Sequence, residues 1–306
     1  VMEAVQQYGR MFRLNTWFRF TDQFYGLGTP VKPLKKLVQS GLLGWPLKVT
    51  ISAHTGFNWK FFWVGKEYLE PQSVPAELDY DMWLGPAPER PFNNYRFRGW
   101  RGFWDYGGGQ QTDWGVHWID SAFDGLKGFG LCDREYPEAV FSTAYKDPTS
   151  FNETPSCQTT IFQYKNFHIE WAQQVAHLYN RNQGVAWVGS KATLVCNREG
   201  YELIPEKNRE GELLTDRSQL VGKFEDGGVE AHATNWCKCI LNKSIETNSP
   251  IEKGAFATIL AHMANISYLT GTRVVYDPQA RKFVDNPKAD AYLKRSYRSP
   301  WQFPKV

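Results

Sequence analysis

The sequence predicts an α/β (α+β) chain built on an open, mainly antiparallel sheet with helices on one face. Short runs of β-branched and aromatic residues follow one another between residues 139 and 205. Asn166, Asn182-Gln183-Gly184 and Arg198-Glu199-Gly200 punctuate them, as tight turns between neighbouring strands do. Helical spacing is concentrated before and after that block. At 306 residues the chain has room for one large domain or two ordinary ones.

Taken in order, residues 1–9 read as an amphipathic helix that stops at Gly9, and residues 10–15 as a strand. Thr29-Pro30 pairs a cap with a first-turn proline and opens a helix through residue 40, with Gly41 or Gly44 as its end. Residues 46–54 alternate as a strand does. Residues 55–100 are rich in Trp, Pro, Gly and Asn and hold no period, the mark of a functional stretch or one packed over a core. Gly107-Gly108-Gly109 precedes a helix over residues 111–126. Strands are expected at 139–146, 159–165, 167–173, 184–188, 193–197 and 201–205. Helices return at 230–241 and 251–269, the second stopped by Gly271. Residues 273–276 suit one more strand, and the tail from Pro287 holds a short helical piece.

Composition excludes several classes of function. Lys and Arg number 35 against 32 Asp and Glu, a net charge of +3, so the chain lacks the basic footprint of a nucleic-acid binder. No apolar run approaches the roughly 18 residues of a membrane span. The N-terminus shows neither the basic nor the apolar region of a signal peptide, and the cytoplasm and the periplasm both remain open. Five scattered cysteines are not a disulfide framework. Cys237-Lys238-Cys239 has no second pair or histidine at ligand spacing, so it reads as free thiols buried on a helix and not as a metal site. Aromatic residues make up 16% of the chain, a content that suits a core and equally the C–H faces of sugar rings.

The chemistry concentrates between Trp104 and Asp120. Asp113 and His117 are four residues apart, and Asp120 lies three further on, so a helix would put all three on one face. An Asp beside a His holds the imidazole in one orientation, which suits a general acid/base. The same spacing also serves a purely structural hydrogen bond, and the residues alone leave both readings open. No Gly-x-Gly-x-x-Gly follows a strand. The triple glycine lacks the βαβ context of a dinucleotide fingerprint.

Gly107-Gly108-Gly109, Asp113, Gly115, His117 and Asp120 together resemble the Gly-Gly-Gly-x-x-x-Asp-x-Gly-x-His-x-x-Asp motif of the Gfo/Idh/MocA oxidoreductase family (glucose–fructose oxidoreductase, inositol dehydrogenase, rhizopine catabolism). The resemblance extends to the segment from Asp79 to Pro88, the helices around residues 232–240 and 252–269, Asp277-Pro278, and Tyr297-Arg298-Ser299-Pro300-Trp301. It implies three parts: residues 1–20 as a remnant of an N-terminal Rossmann domain, 21–285 as the substrate and oligomerisation domain, and 286–306 as a C-terminal arm. The rest of that Rossmann domain, about 100–150 residues, binds NAD or NADP in the family and ends in Glu-Lys-Pro. It has no counterpart here, since Glu252-Lys253-Gly254 falls in a late helix. The chain by itself is therefore expected to be inactive and not to bind the cofactor.

The resemblance further implies hydride transfer from a carbinol carbon of a sugar or cyclitol. His117 takes the hydroxyl proton, and Asp113 orients it or binds an adjacent hydroxyl. Arg19, Trp59, Lys60, Arg96, Arg98, Trp104 and Asp120 are the substrate-binding candidates. Thr16 and Trp17 are the cofactor-side candidates, standing where many members have Gly-Thr-Gln. Arg298 and Trp301 read as anchors of the arm. A homo-oligomer joined through the sheet is expected, with no nucleic acid, membrane or metal. Two other readings stand beside this one: a glycoside hydrolase or lyase of the same superfamily that uses NAD transiently, and a non-catalytic carbohydrate-binding domain.

Overall fold

The computed structural model describes residues 1–16, 41–54, 68–128, 132–175, 184–197, 200–215, 221–223 and 228–304. The helix expected from Thr29 to residue 40 lies outside them. Strand β1 (Pro46–His54) is followed by β2 (Ala139–Tyr145), β3 (Cys157–Gln163), β4 (His168–Gln174), β5 (Gly184–Gly189), β6 (Ala192–Asn197), β7 (Gly200–Pro205) and β8 (Val221–Lys223). They form one sheet in the order β2-β3-β4-β1-β5-β6-β7-β8. Every neighbouring pair is antiparallel except β1 with β4. The mainly antiparallel sheet is as the sequence predicts. β8 was not anticipated, and neither was the central parallel pair. β1 enters the sheet long before its neighbours are made, and its alternate residues Val49, Ile51 and Ala53 are at most 1% exposed.

Helix α1 spans Met2–Gln7, α2 Tyr80–Leu84, α3 Asn94–Arg98, α4 Gly109–Thr112, α5 Trp114–Gly128, α6 Gly228–Leu241, α7 Ile251–Thr270 and α8 Pro287–Asp290. α5 packs on β1 and β5, α7 packs on β2, and the two helices touch each other. Trp118 and Phe123 of α5 and Trp171 and Trp187 of the sheet are fully buried between the layers. A Cβ on Gly125 would collide with the Trp187 ring, so this glycine lets α5 lie close on β5. α7 ends at Gly271 in the left-handed region at φ 64°, the stop that the sequence placed there.

The first sixteen residues depart from expectation. Residues 10–16 join no ladder; they cross α7 and the loop before it. Leu14 N donates to Ser249 O at 3.0 Å. Thr247 Oγ1 donates to Phe12 O at 2.8 Å. A Cβ on Gly254 of α7 would strike the Leu14 side chain, so that glycine makes the seat. The strand expected at 273–276 is reduced to β9 (Tyr276–Asp277), which pairs with β10 (Lys282–Phe283), and to a single bridge from Val274 to Val140. Cys239 is buried as expected, whereas Cys237 is exposed on the other side of α6.

Candidate active site

The helix expected over 111–126 is two helices. Asp113 stands between α4 and α5 with φ −85° and ψ −81°, outside helical geometry, so its carboxylate is not carried on the same helix as His117. The triple glycine upstream has a packing cause. Gly109 has φ +69°, and a Cβ there would lie 2.9 Å from Thr154 Cβ. A Cβ on Gly108 would lie 2.7 Å from Asn265 Nδ2. Asn265, on α7 and 3% exposed, uses that nitrogen to donate to Gly108 O at 2.8 Å. Its Oδ1 accepts from Gln158 Nε2 at 3.4 Å, and Gln158 also reaches Ser142 Oγ at 3.0 Å. A polar chain buried between α7 and the sheet thus sets the height of the loop that delivers Asp113.

Arg101 Nε donates to Asp113 Oδ1 at 2.8 Å, and its guanidinium stacks over Trp100 at 4.4 Å. A guanidinium seated over an indole holds a carboxylate with less freedom than a flexible lysine does. His117 is one turn into α5, its ring 6.1 Å from that of Trp114. Asp113 and His117 both line a cavity of about 1100 Å³. Among the described residues, its walls come from five parts of the chain. These are Leu14–Thr16, the segment from Trp100 to His117, one side of α7, Tyr276 and Phe283 of the β9–β10 pair, and the stretch from Ala291 to Arg295. His262 of α7 opens into this space while protein crowds its other sides. That crowding, and next the Arg295 charge, hold its imidazole below the ordinary histidine range.

The other site candidates divide. Trp104 lines the cavity and is pinned at both backbone ends: its N–H donates to Glu153 Oε2 at 3.0 Å, and its carbonyl accepts from Arg295 Nη2 at 2.8 Å. Thr16 lines it too, its hydroxyl 2.9 Å from that of Ser249. Asp120 does not. It is fully buried and pairs with Arg134 Nη2 at 2.9 Å, and the same nitrogen pairs with Asp124. The helical face assumed for all three residues carries His117 to the cavity and Asp120 into the core, so Asp120 is a structural carboxylate. Arg96 donates to Pro91 O at 2.7 Å and lies over Phe103, and Arg98 is exposed at the end of α3; neither lines the cavity. Trp17, Arg19, Trp59 and Lys60 lie outside the described residues. Arg298 anchors the arm, donating to Gly85 O at 2.9 Å and Ala87 O at 3.1 Å and pairing with Asp81.

Sequence reasoning missed Arg101, His262, Lys294 and Arg295. Arg101 sits twelve residues from the carboxylate it holds, with no periodic relation to it. The other three reach the cavity only through the docking of α7 and the arm.

Residues 27–128 match the Gfo/Idh/MocA family described as "Oxidoreductase family, C-terminal alpha/beta domain". The matched segment is about one third of the chain and ends with α5, the helix that carries His117. Among solved structures, it is similar to the WlbA dehydrogenase of Bordetella pertussis in complex with NADH and UDP-GlcNAcA, at 14% identity and a TM-score of 0.51, covering 90% of this chain and 66% of that one. An oxidoreductase of Desulfitobacterium hafniense designated NADPH-dependent matches at 14% identity and 0.53, covering 90% and 67%. An oxidoreductase of Klebsiella pneumoniae matches at 10% and 0.53, covering 95% and 67%. The chain thus spans about two thirds of the length of the structures it resembles, and at these identities the likeness shows the fold. No curated protein matches the chain.

Proposed function

We propose that this chain forms the substrate side of a nicotinamide-dependent oxidoreductase that acts on a sugar or cyclitol, with His117 as proton acceptor. The observation that carries this reading is that Asp113 and His117 open into one cavity together with Asn15, Thr16 and Trp104. Asn15 and Thr16 are the described residues that would meet the nicotinamide end of NAD or NADP. The 306 residues contain no Gly-x-Gly-x-x-Gly, so they do not cradle its pyrophosphate. When bound, the cofactor supplies the hydride acceptor.

The rest is the work of this chain. His117 takes the proton of the reacting hydroxyl as C–H cleavage proceeds. Arg101 fixes Asp113 through Oδ1, and Oδ2 serves a neighbouring substrate hydroxyl. The Trp104 indole offers a flat apolar face to the sugar ring. Lys253 stands 3.8 Å from buried Asp124 and has no part in this. The gain is chiefly positional: a polyol held with one hydroxyl against His117 needs no further reorganisation.

Absorbance of reduced nicotinamide is the test, on the native protein with a panel of sugars and cyclitols and either cofactor. Net accumulation that depends on His117 supports the reading. Turnover with no net reduction would replace it with the hydrolase or lyase reading.

A further inference from the structure

Among the described residues, the carboxylates on the cavity wall are Asp105 and Asp113, and each pairs with an arginine outside the lining. Arg90 Nη2 pairs with Asp105 at 2.5 Å while its Nη1 pairs with Glu153 at 2.7 Å, and Arg101 Nε pairs with Asp113 at 2.8 Å. The cations on the same wall are not matched. Arg295 gives one guanidinium nitrogen to a neutral acceptor, Trp104 O, at 2.8 Å. That bond pins the fork beside the motif segment and leaves its other N–H donors for a ligand. No carboxylate of the described residues pairs with Arg295 or with Lys294 beside it, and both line the cavity. Among the described residues, Lys294 and Arg295 therefore put positive charge without a paired carboxylate on a concave wall, where low-dielectric sides focus the field. Burial, and next the Arg295 charge, hold the adjacent His262 below its ordinary range, and an imidazole in either form brings no negative charge to the two cations.

We propose that the substrate of this site carries an anionic group, a carboxylate or a phosphate, which Arg295 and Lys294 bind where the C-terminal arm meets Trp104. This rests on the reading of the cavity as the substrate site. It narrows the substrate class from neutral polyols to sugar acids or sugar phosphates. Arg295 offers the planar fork that recognises either group through two parallel hydrogen bonds, and Lys294 adds a point charge.

The test is calorimetric titration of the full chain with glucose, glucuronate and glucose 6-phosphate at one fixed ionic strength. At least one anionic sugar should bind on the order of tenfold more tightly than glucose, and whichever does so identifies the group. Lys294→Gln with Arg295→Gln should bring the anionic sugars down to the affinity that the same variant shows for glucose; Arg295→Lys should retain part of the preference. Thermal unfolding confirms that the variants fold, as both residues are exposed. Equal binding of all three sugars, or a preference that survives the double substitution, overturns the proposal. If glucose binds through His117 without any anion preference, the substrate-site reading stands and this inference falls. If no sugar binds, both fall.

Discussion

His117 and Asp120 are less than one helical turn apart, and the structure gives them opposite tasks. His117 faces the cavity. Replacing it with Ala should lower turnover of the native protein by about 10²–10⁴-fold, the usual size of a lost general acid/base, with the unfolding midpoint unchanged. Asp120→Ala should do the reverse. It removes one of the two buried carboxylates that pair with Arg134, at a cost of about 1.5–3 kcal/mol in stability, read as a lower midpoint in denaturant. His262 sets a pH signature. Its folded value lies below the ordinary 6.5, so the unfolded chain takes up that proton first as pH falls. The stability tied to its neutral form is present above about 6.5 and is lost as pH drops through the folded value. His262→Asn should make the fall in unfolding temperature between neutral and mildly acid pH shallower.

At the scale of elements, the seat of α5 on the sheet controls where His117 stands. Gly125 is the contact, and a methyl there meets the Trp187 ring, which is itself fully buried and cannot give way. Gly125→Ala should cost about 1–3 kcal/mol through overpacking and should also lower turnover, because α5 carries the histidine. Denaturant titration reads the first effect and initial rates the second. The break between α4 and α5 follows the same logic. A continuous helix would leave Asp113 on α5, whereas the clamp of Gly108 against Asn265 lets the chain re-aim before α5 begins.

Across the whole molecule, one face of the sheet is covered by α5 and α7. The other face shows Phe141 at 50% and Tyr145 at 69% exposure, with Ile161 opposite Phe141. We propose that a second copy of the chain covers it, since an apolar band of this kind marks an interface. Phe141→Glu with Ile161→Glu should turn a dimer or tetramer into monomers in light scattering; a wild-type monomer at micromolar concentration would refute the assignment. The 306 residues should also show no micromolar binding of NADH or NADPH in calorimetry. Their sequence contains no Gly-x-Gly-x-x-Gly, the turn that sets a pyrophosphate on the N-terminus of the following helix.

The sequence by itself determined the elements whose pattern is local. Alternation marked β1, and β-branched and aromatic runs set off by turn residues marked β2 to β7, within about two residues of their observed ends. Gly271 marked the end of α7, and the spacing of Asp113 and His117 marked where chemistry would gather. Each of these follows from side chains within a few positions of one another. What the tertiary structure decided is pairing between distant parts. It placed β1 parallel to β4, more than a hundred residues away, and turned Asp120 toward Arg134. It brought Lys294 and Arg295 of the arm to the cavity that holds His117. Helical spacing says which residues share a face, but a face becomes core or cavity only through what packs on it. That covering comes from α7, the N-terminal segment and the arm, whose positions no local period encodes.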